Sequence, residues 1–271
     1  MVRRAFTLLE LLVVITVIGC LLAVALPSIR YSKYQAQSVV CAANIRQMNF
    51  LLSAYAQSFT FYPPGFCDLP GYSSTSPPGG RVGSAAYDWV GWWWFHFLID
   101  EQDAPTLLRK IAFCPSSTAE GSSKRNVLCG NYGINYSICK IATLTTNDEF
   151  HGRSLKPETV QRPAQVLLLA DSGYSLLSWK AATLNPDYSF ECSQRKDAFY
   201  VPGLSINSNP LKSIHPELKA DAIKGRHLNL TINVGFTDGT VRRLPAETLL
   251  IATDTPSDSP AYLIWSPLNK R

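Results

Sequence analysis

Arg3-Arg4-Ala5-Phe6-Thr7-Leu8-Leu9-Glu10 leads into an apolar run from Leu11 to Leu26, interrupted only by Thr16 and Gly19 and followed by Pro27. From Phe6 to Leu26 there are 21 residues, roughly 31 Å of helix at 1.5 Å per residue, which is enough to cross a bilayer core. The run is apolar on every face, so it does not read as a buried core helix. Arg3 and Arg4 ahead of it predict a cytoplasmic N-terminus, with everything after about residue 30 outside. Two ordinary readings compete: a cleaved signal peptide with Ala23-Val24-Ala25 as its cleavage site, and an uncleaved signal anchor. Glu10 opposes both. A carboxylate near the membrane end of an apolar segment costs about 2–3 kcal/mol unless it is partnered or snorkels, and its natural partner is a cation at the same depth.

The stretch Arg4-Ala5-Phe6-Thr7-Leu8-Leu9-Glu10-Leu11 resembles the type IV prepilin processing motif, written G-F-T-L-x-E before an apolar stretch. The resemblance implies a prepilin of the type IV pilin-like and type II secretion pseudopilin family. A prepilin peptidase would cut between Ala5 and Phe6 and the new amine on Phe6 would be methylated. Glu10 would then meet the amine of a neighbouring subunit during assembly. Pro27 falls where the family places its helix-bending proline, whereas Ala5 replaces the usual glycine with another small residue. The implied partners are the peptidase, identical or related pilin subunits, an inner-membrane assembly platform and the lipid bilayer. The implied location is the inner membrane, single-pass, with the C-terminal domain periplasmic or carried outside in a filament.

Beyond the span, residues 31–58 contain neither proline nor glycine, and Cys41, Ile45, Met48, Leu52, Tyr55 and Phe59 recur at spacings of 4, 3, 4, 3 and 4. That is one stripe of an amphipathic helix, stopped by Pro63-Pro64-Gly65. Continuous with the span, it predicts one helix from about Phe6 to Phe59. The organisation expected is a leader at 1–5, a membrane and assembly segment at 6–29, an amphipathic half at 30–60 and a globular domain at 61–271.

Within that domain, Leu69 to Ser84 reads as an exposed loop. Trp89 to Ile99 is the densest aromatic patch, expected to dock on the helix with His96 as a core histidine; the alternative is a glycan-stacking surface on an exported module. Ala164 to Ala170 and Thr231 to Thr237 read as strands, the latter with Ile232, Val234 and Phe236 on one side. Asp238-Gly239 predicts a hairpin in which both turn residues take positive φ, returning through Thr240 to Leu244. Ala261 to Trp265 is read as a further strand. The fold class expected is α+β, a long N-terminal helix against a mostly antiparallel sheet.

The resemblance continues through Cys41 to Met48, Phe113 to Ser116, Asn131 to Asn135, Ala170-Asp171-Ser172, and Arg226-His227 with Phe236-Thr237-Asp238-Gly239. These look like signposts of a pilin-like family named for a C-terminal H-x9-DG motif. Here ten residues, not nine, separate His227 from Asp238.

With 25 basic and 20 acidic side chains the net charge is only +5, too thin an excess for nucleic-acid binding. Apolar residues at 46% and charged residues at 17% exclude disorder. None of the common hydrolase, nucleotide or zinc-protease motifs occurs, so a structural protein is expected rather than an enzyme. The seven cysteines include no CxxC pair, which speaks against structural zinc. Cys20 lies in the span and Cys41 on the stripe, leaving Cys67, Cys114, Cys129, Cys139 and Cys192 as disulfide candidates in an exported domain. Asp171, His227 and Asp238 are the candidate metal ligands, for Ca²⁺ through oxygens or a transition metal through the imidazole. The competing reading makes both aspartates turn residues.

Overall fold

In the computed structural model the residues described are 7–72, 91–98, 110–116, 131–172, 175–177, 205–206, 209–210, 225–249 and 259–268. A single helix, α1 (Leu8–Phe59), runs for 52 residues, about 78 Å. Pro27 lies inside it and the helix continues on both sides. Among the described residues this is the one helix long and apolar enough to cross a membrane. Its first half is exposed on all sides, as the consecutive residues Leu11, Leu12, Val13 and Val14 show by going once round the helix. The second half buries Cys41, Ile45, Met48 and Leu52 completely, as their spacing predicts. The last two members of the stripe leave the core: Tyr55 is half-buried and Phe59 exposed, their rings 4.4 Å apart, and Ala56 takes the inward place. Thr60 ends the helix in the left-handed region at φ 70°, before the proline pair is reached.

The domain is α+β. Strands β1 (Phe66–Cys67), β2 (Trp92–Trp93) and β4 (Ile141–Ala142) form a small sheet. The main sheet has five strands in the order β10 (Val241–Pro245), β9 (Thr231–Phe236), β5 (Leu167–Asp171), β3 (Tyr132–Asn135), β6 (Leu176–Leu177). All its pairings are antiparallel except β3 with β6. A separate pair joins β7 (Ser205–Ile206) to β8 (Asn209–Pro210).

The two faces of β9 serve different cores. Ile232, Val234 and Phe236 pack with Leu249, Tyr262 and Trp265 on the side away from α1. Asn233 and Gly235 are the residues turned toward α1: a Cβ on Gly235 would lie 2.5 Å from Asn49 Nδ2 and 2.8 Å from Ile45 Cγ2. Glycine there lets the helix come close enough for Asn49 Nδ2 to donate to the Phe236 carbonyl at 3.2 Å.

Two local expectations are corrected. Ala261 to Trp265 is not a strand, because Pro260–Leu263 forms the short helix α2, whose start is capped by Ser259 Oγ accepting from Tyr262 N at 3.2 Å. Serine followed by proline at the first helical position is a helix-start signal that outweighs a short apolar run. In the β9–β10 turn only Gly239 has positive φ, at 87°. Phe236 N donates to Thr240 O and Gly239 N to Phe236 O, so the connection is a three-residue loop with glycine in the left-handed place.

The aromatic segment packs inward. Trp93, Trp94, Phe95 and His96 are buried, and Trp94 Nε1 donates to the Ser175 carbonyl at 3.1 Å. That removes most of the patch as a glycan-stacking surface. Trp89, Val90 and Ile99 lie outside the described residues, as does the expected loop after Tyr72. Of the disulfide candidates, Cys67, Cys114 and Cys139 are buried free thiols, while Cys129 and Cys192 lie outside the described residues.

Candidate functional site

At the N-terminus, Ala5 and Phe6 lie outside the described residues, so the structure begins at the cap of α1. Thr7 and Glu10 form a reciprocal capping box. Glu10 Oε2 accepts from Thr7 N at 2.8 Å and from Thr7 Oγ1 at 2.9 Å, and Glu10 N donates to Thr7 Oγ1 at 3.2 Å. The carboxylate that the sequence marks as needing a partner therefore has one within its own helix. Thr-x-x-Glu at a helix start was the signal for it.

A second constellation lies where α1 crosses the main sheet. The Asp171 carboxylate, at the end of β5, is 2% exposed. Its Oδ1 is 2.6 Å from Cys41 Sγ, and its Oδ2 is 2.8 Å from His227 Nε2 and accepts Asn233 N at 2.7 Å. Cys41 Sγ also lies 3.2 Å from Cys114 Sγ and 3.3 Å from the Tyr132 hydroxyl. Each element has a reason to be there. Cys41 is the first residue of the buried stripe. Tyr132 pairs with Asp171 across β3 and β5. Cys114 is fixed by its N–H donating to Asn131 Oδ1 at 2.9 Å. His227 is set by a backbone bridge to Thr231 around Asn229 and Leu230, both in left-handed conformation.

Burial first, then the hydrogen bond with Cys114 and the nearby Asp171 charge, push the Cys41 thiol well above its ordinary range. Burial also works against ionising Cys114, but the Cys41 hydrogen bond and the Arg226 guanidinium bring that thiol below the usual range. The Asp171 carboxyl would be raised by burial, yet His227, Arg226 and Cys41 hold it below the ordinary carboxylate value. Arg226 itself donates to the carbonyls of Asn131 at 2.7 Å and Ser172 at 3.0 Å.

Of the three metal candidates, Asp171 and His227 come together and Asp238 does not. Asp238 is exposed at the far end of β9, where its Oδ1 accepts from Thr240 N and Oγ1 at 2.9 and 2.7 Å. A six-residue strand, on the order of 20 Å, separates it from His227. Cys41 and Cys114 take its place. No close cysteine pair marks this grouping in the sequence; Cys41, Cys114, Asp171 and His227 each stand in a different one of the segments that carry the family resemblance.

The family described as prokaryotic N-terminal methylation motif matches residues 1–26. Comparison with curated proteins gives no match, and comparison with solved structures gives none. The matched motif indicates prepilin-type processing, and with the apolar first half of α1 it fits a membrane-anchored, prepilin-like protein.

Proposed function

We propose that the chain is a structural subunit of a type IV pilus-like or type II secretion pseudopilus filament. It is made as a prepilin with the leader at 1–5, cut before Phe6 and methylated on the new amine. The carrying observation is the coincidence of the methylation motif at 1–26 with a helix whose first half is uniformly apolar and exposed and whose second half is locked into an α+β domain. One half needs a lipid or protein environment that the described residues do not provide. In the membrane that environment is the bilayer; in a filament it is the same helix of neighbouring subunits. The domain faces the periplasm, the subunit rests in the inner membrane until an assembly platform extracts it, and Glu10 sets register against the Phe6 amine of a neighbour. Nothing in this role requires catalysis.

Glu10 has two roles to separate, helix cap and assembly partner. Thr7→Val removes the cap, at about 1 kcal/mol of local helix stability, and keeps the carboxylate. Glu10→Ala removes the carboxylate and its two bonds from Thr7, and leaves the backbone N–H of residue 10 donating to Thr7 Oγ1. Filaments sheared from cells expressing each variant should be present for Thr7→Val and absent for Glu10→Ala, with both proteins folded in the membrane fraction. Normal filaments from Glu10→Ala would refute the assembly role.

A further inference from the structure

We propose that Cys41, Cys114, Asp171 and His227 hold one thiophilic divalent cation, with zinc as the reference ion, in a closed structural site that clamps α1 to the sheet. Their ligand atoms all lie within 4.8 Å of one another and all four residues are buried. They come from α1, the 110–116 segment, β5 and the turn before β9, so a single ion would tie four separate pieces of chain. Two sulfurs, an imidazole and a carboxylate make a closed tetrahedral set of the structural type. Two thiolates select a soft or borderline ion and disfavour Ca²⁺, which takes oxygens.

Ligand distances of about 2.0–2.3 Å place the donor atoms of a tetrahedral site roughly 3.3–3.8 Å apart. The Cys41–Cys114 separation of 3.2 Å has to open by about 0.5 Å, and the tightest contact, Cys41 to Asp171 at 2.6 Å, by about 1 Å, both within the reach of small χ rotations. The groups around His227 Nε2 make opposed demands on it. The Asn233 amide nitrogen faces the Ser38 carbonyl at 3.2 Å, which orients it as a donor. That nitrogen is also 2.9 Å from His227 Nε2, while Nε2 is 2.8 Å from the Asp171 carboxylate. A proton on Nε2 suits Asp171 and opposes Asn233; a lone pair suits Asn233 and opposes Asp171. A cation meeting both Nε2 and the carboxylate removes the opposition between them.

The charge also closes. Two thiolates, a carboxylate and a divalent ion sum to −1, and the Arg226 guanidinium beside Cys114 and Asp171 supplies +1. Loading is ligand exchange without redox change. Metal–sulfur bonds form as the two thiol protons leave to solvent, together with any proton on Nε2. Tyr132 Oη beside Cys41 and Asn233 N on Asp171 remain as hydrogen-bonding support for the ligands.

The test uses the full chain purified in detergent without chelator. Elemental analysis should find roughly one zinc per chain, and exchange with Co²⁺ should give thiolate-to-cobalt charge-transfer absorption with a tetrahedral visible band. Cys114→Ser and His227→Ala should each lower retained zinc at least about tenfold. The wild-type cobalt spectrum stands independently of whether either variant folds. Wild-type chain that takes up no Co²⁺, a Cys41–Cys114 disulfide in the isolated protein, or unchanged zinc in both variants would each overturn the site. None of these outcomes bears on filament assembly, which Glu10 reports.

Discussion

Replacing His96 with Phe removes a titration built into the aromatic segment. His96 is 3% exposed. Its Nδ1 accepts the Trp93 backbone N–H at 2.9 Å, which places the proton of the neutral ring on Nε2, an atom with no hydrogen-bond partner among the described residues. Burial lowers the imidazole to about 3, against about 6.5 in an unfolded chain. The folded value is the lower one, so the unfolded chain takes up the proton first. Stability from neutral His96 is intact above about pH 6.5 and is lost progressively as pH falls toward 3. Between pH 7 and pH 5 that loss is about 2 kcal/mol, equivalent to roughly 4–8 °C in Tm for a domain of this size. Thermal unfolding followed by tryptophan fluorescence, in one detergent at both pH values, measures it. Asp171 and Asp148, whose carboxyls are also held below their ordinary values, add the same acid sensitivity to both proteins and cancel in the comparison. His96→Phe forfeits the Trp93 N–H acceptor and is less stable at both pH values, but its Tm should fall by about 4–8 °C less than the wild type's on acidification. Equal falls in the two proteins would refute the burial argument.

Gly235→Ala should cost about 1–3 kcal/mol, because its Cβ would lie 2.5 Å from Asn49 Nδ2 and 2.8 Å from Ile45 Cγ2; an unchanged Tm would mean that α1 does not sit this closely on β9. Asn135→Ala should cost at least about 2 kcal/mol, since Nδ2 donates to the Leu167 and Trp265 carbonyls and Oδ1 accepts from Ser137 N, all buried. A smaller loss, measured by chemical denaturation, would mean that these groups find other partners.

What could be read from the sequence is what repeats locally. The two halves of α1 declare themselves through an unbroken apolar run and a 3.6-residue stripe, and β9 through strict alternation before Asp-Gly. The short strands β1, β2, β4 and β6 span two residues each, too few for any period, and exist because neighbouring chain pairs with them. Ala261 to Trp265 carries the composition of a strand, and only the Ser259-Pro260 cap beside it identifies a helix. The buried cluster was invisible for a different reason. Residues 41, 114, 171 and 227 share no spacing, and only the crossing of α1 over β5 brings them together. Asp238 was drawn into the site by its position in the chain, whereas the fold uses it to close a turn at the opposite end of its strand.

Mass spectrometry of the mature N-terminus, on protein taken from the membrane fraction, tests the prepilin account most directly. The account predicts a chain beginning at Phe6 with a methyl group on its α-amine. A chain beginning at Leu26, after Ala23-Val24-Ala25, would contradict it, because Glu10 and the whole apolar half of α1 would then be absent from the working protein.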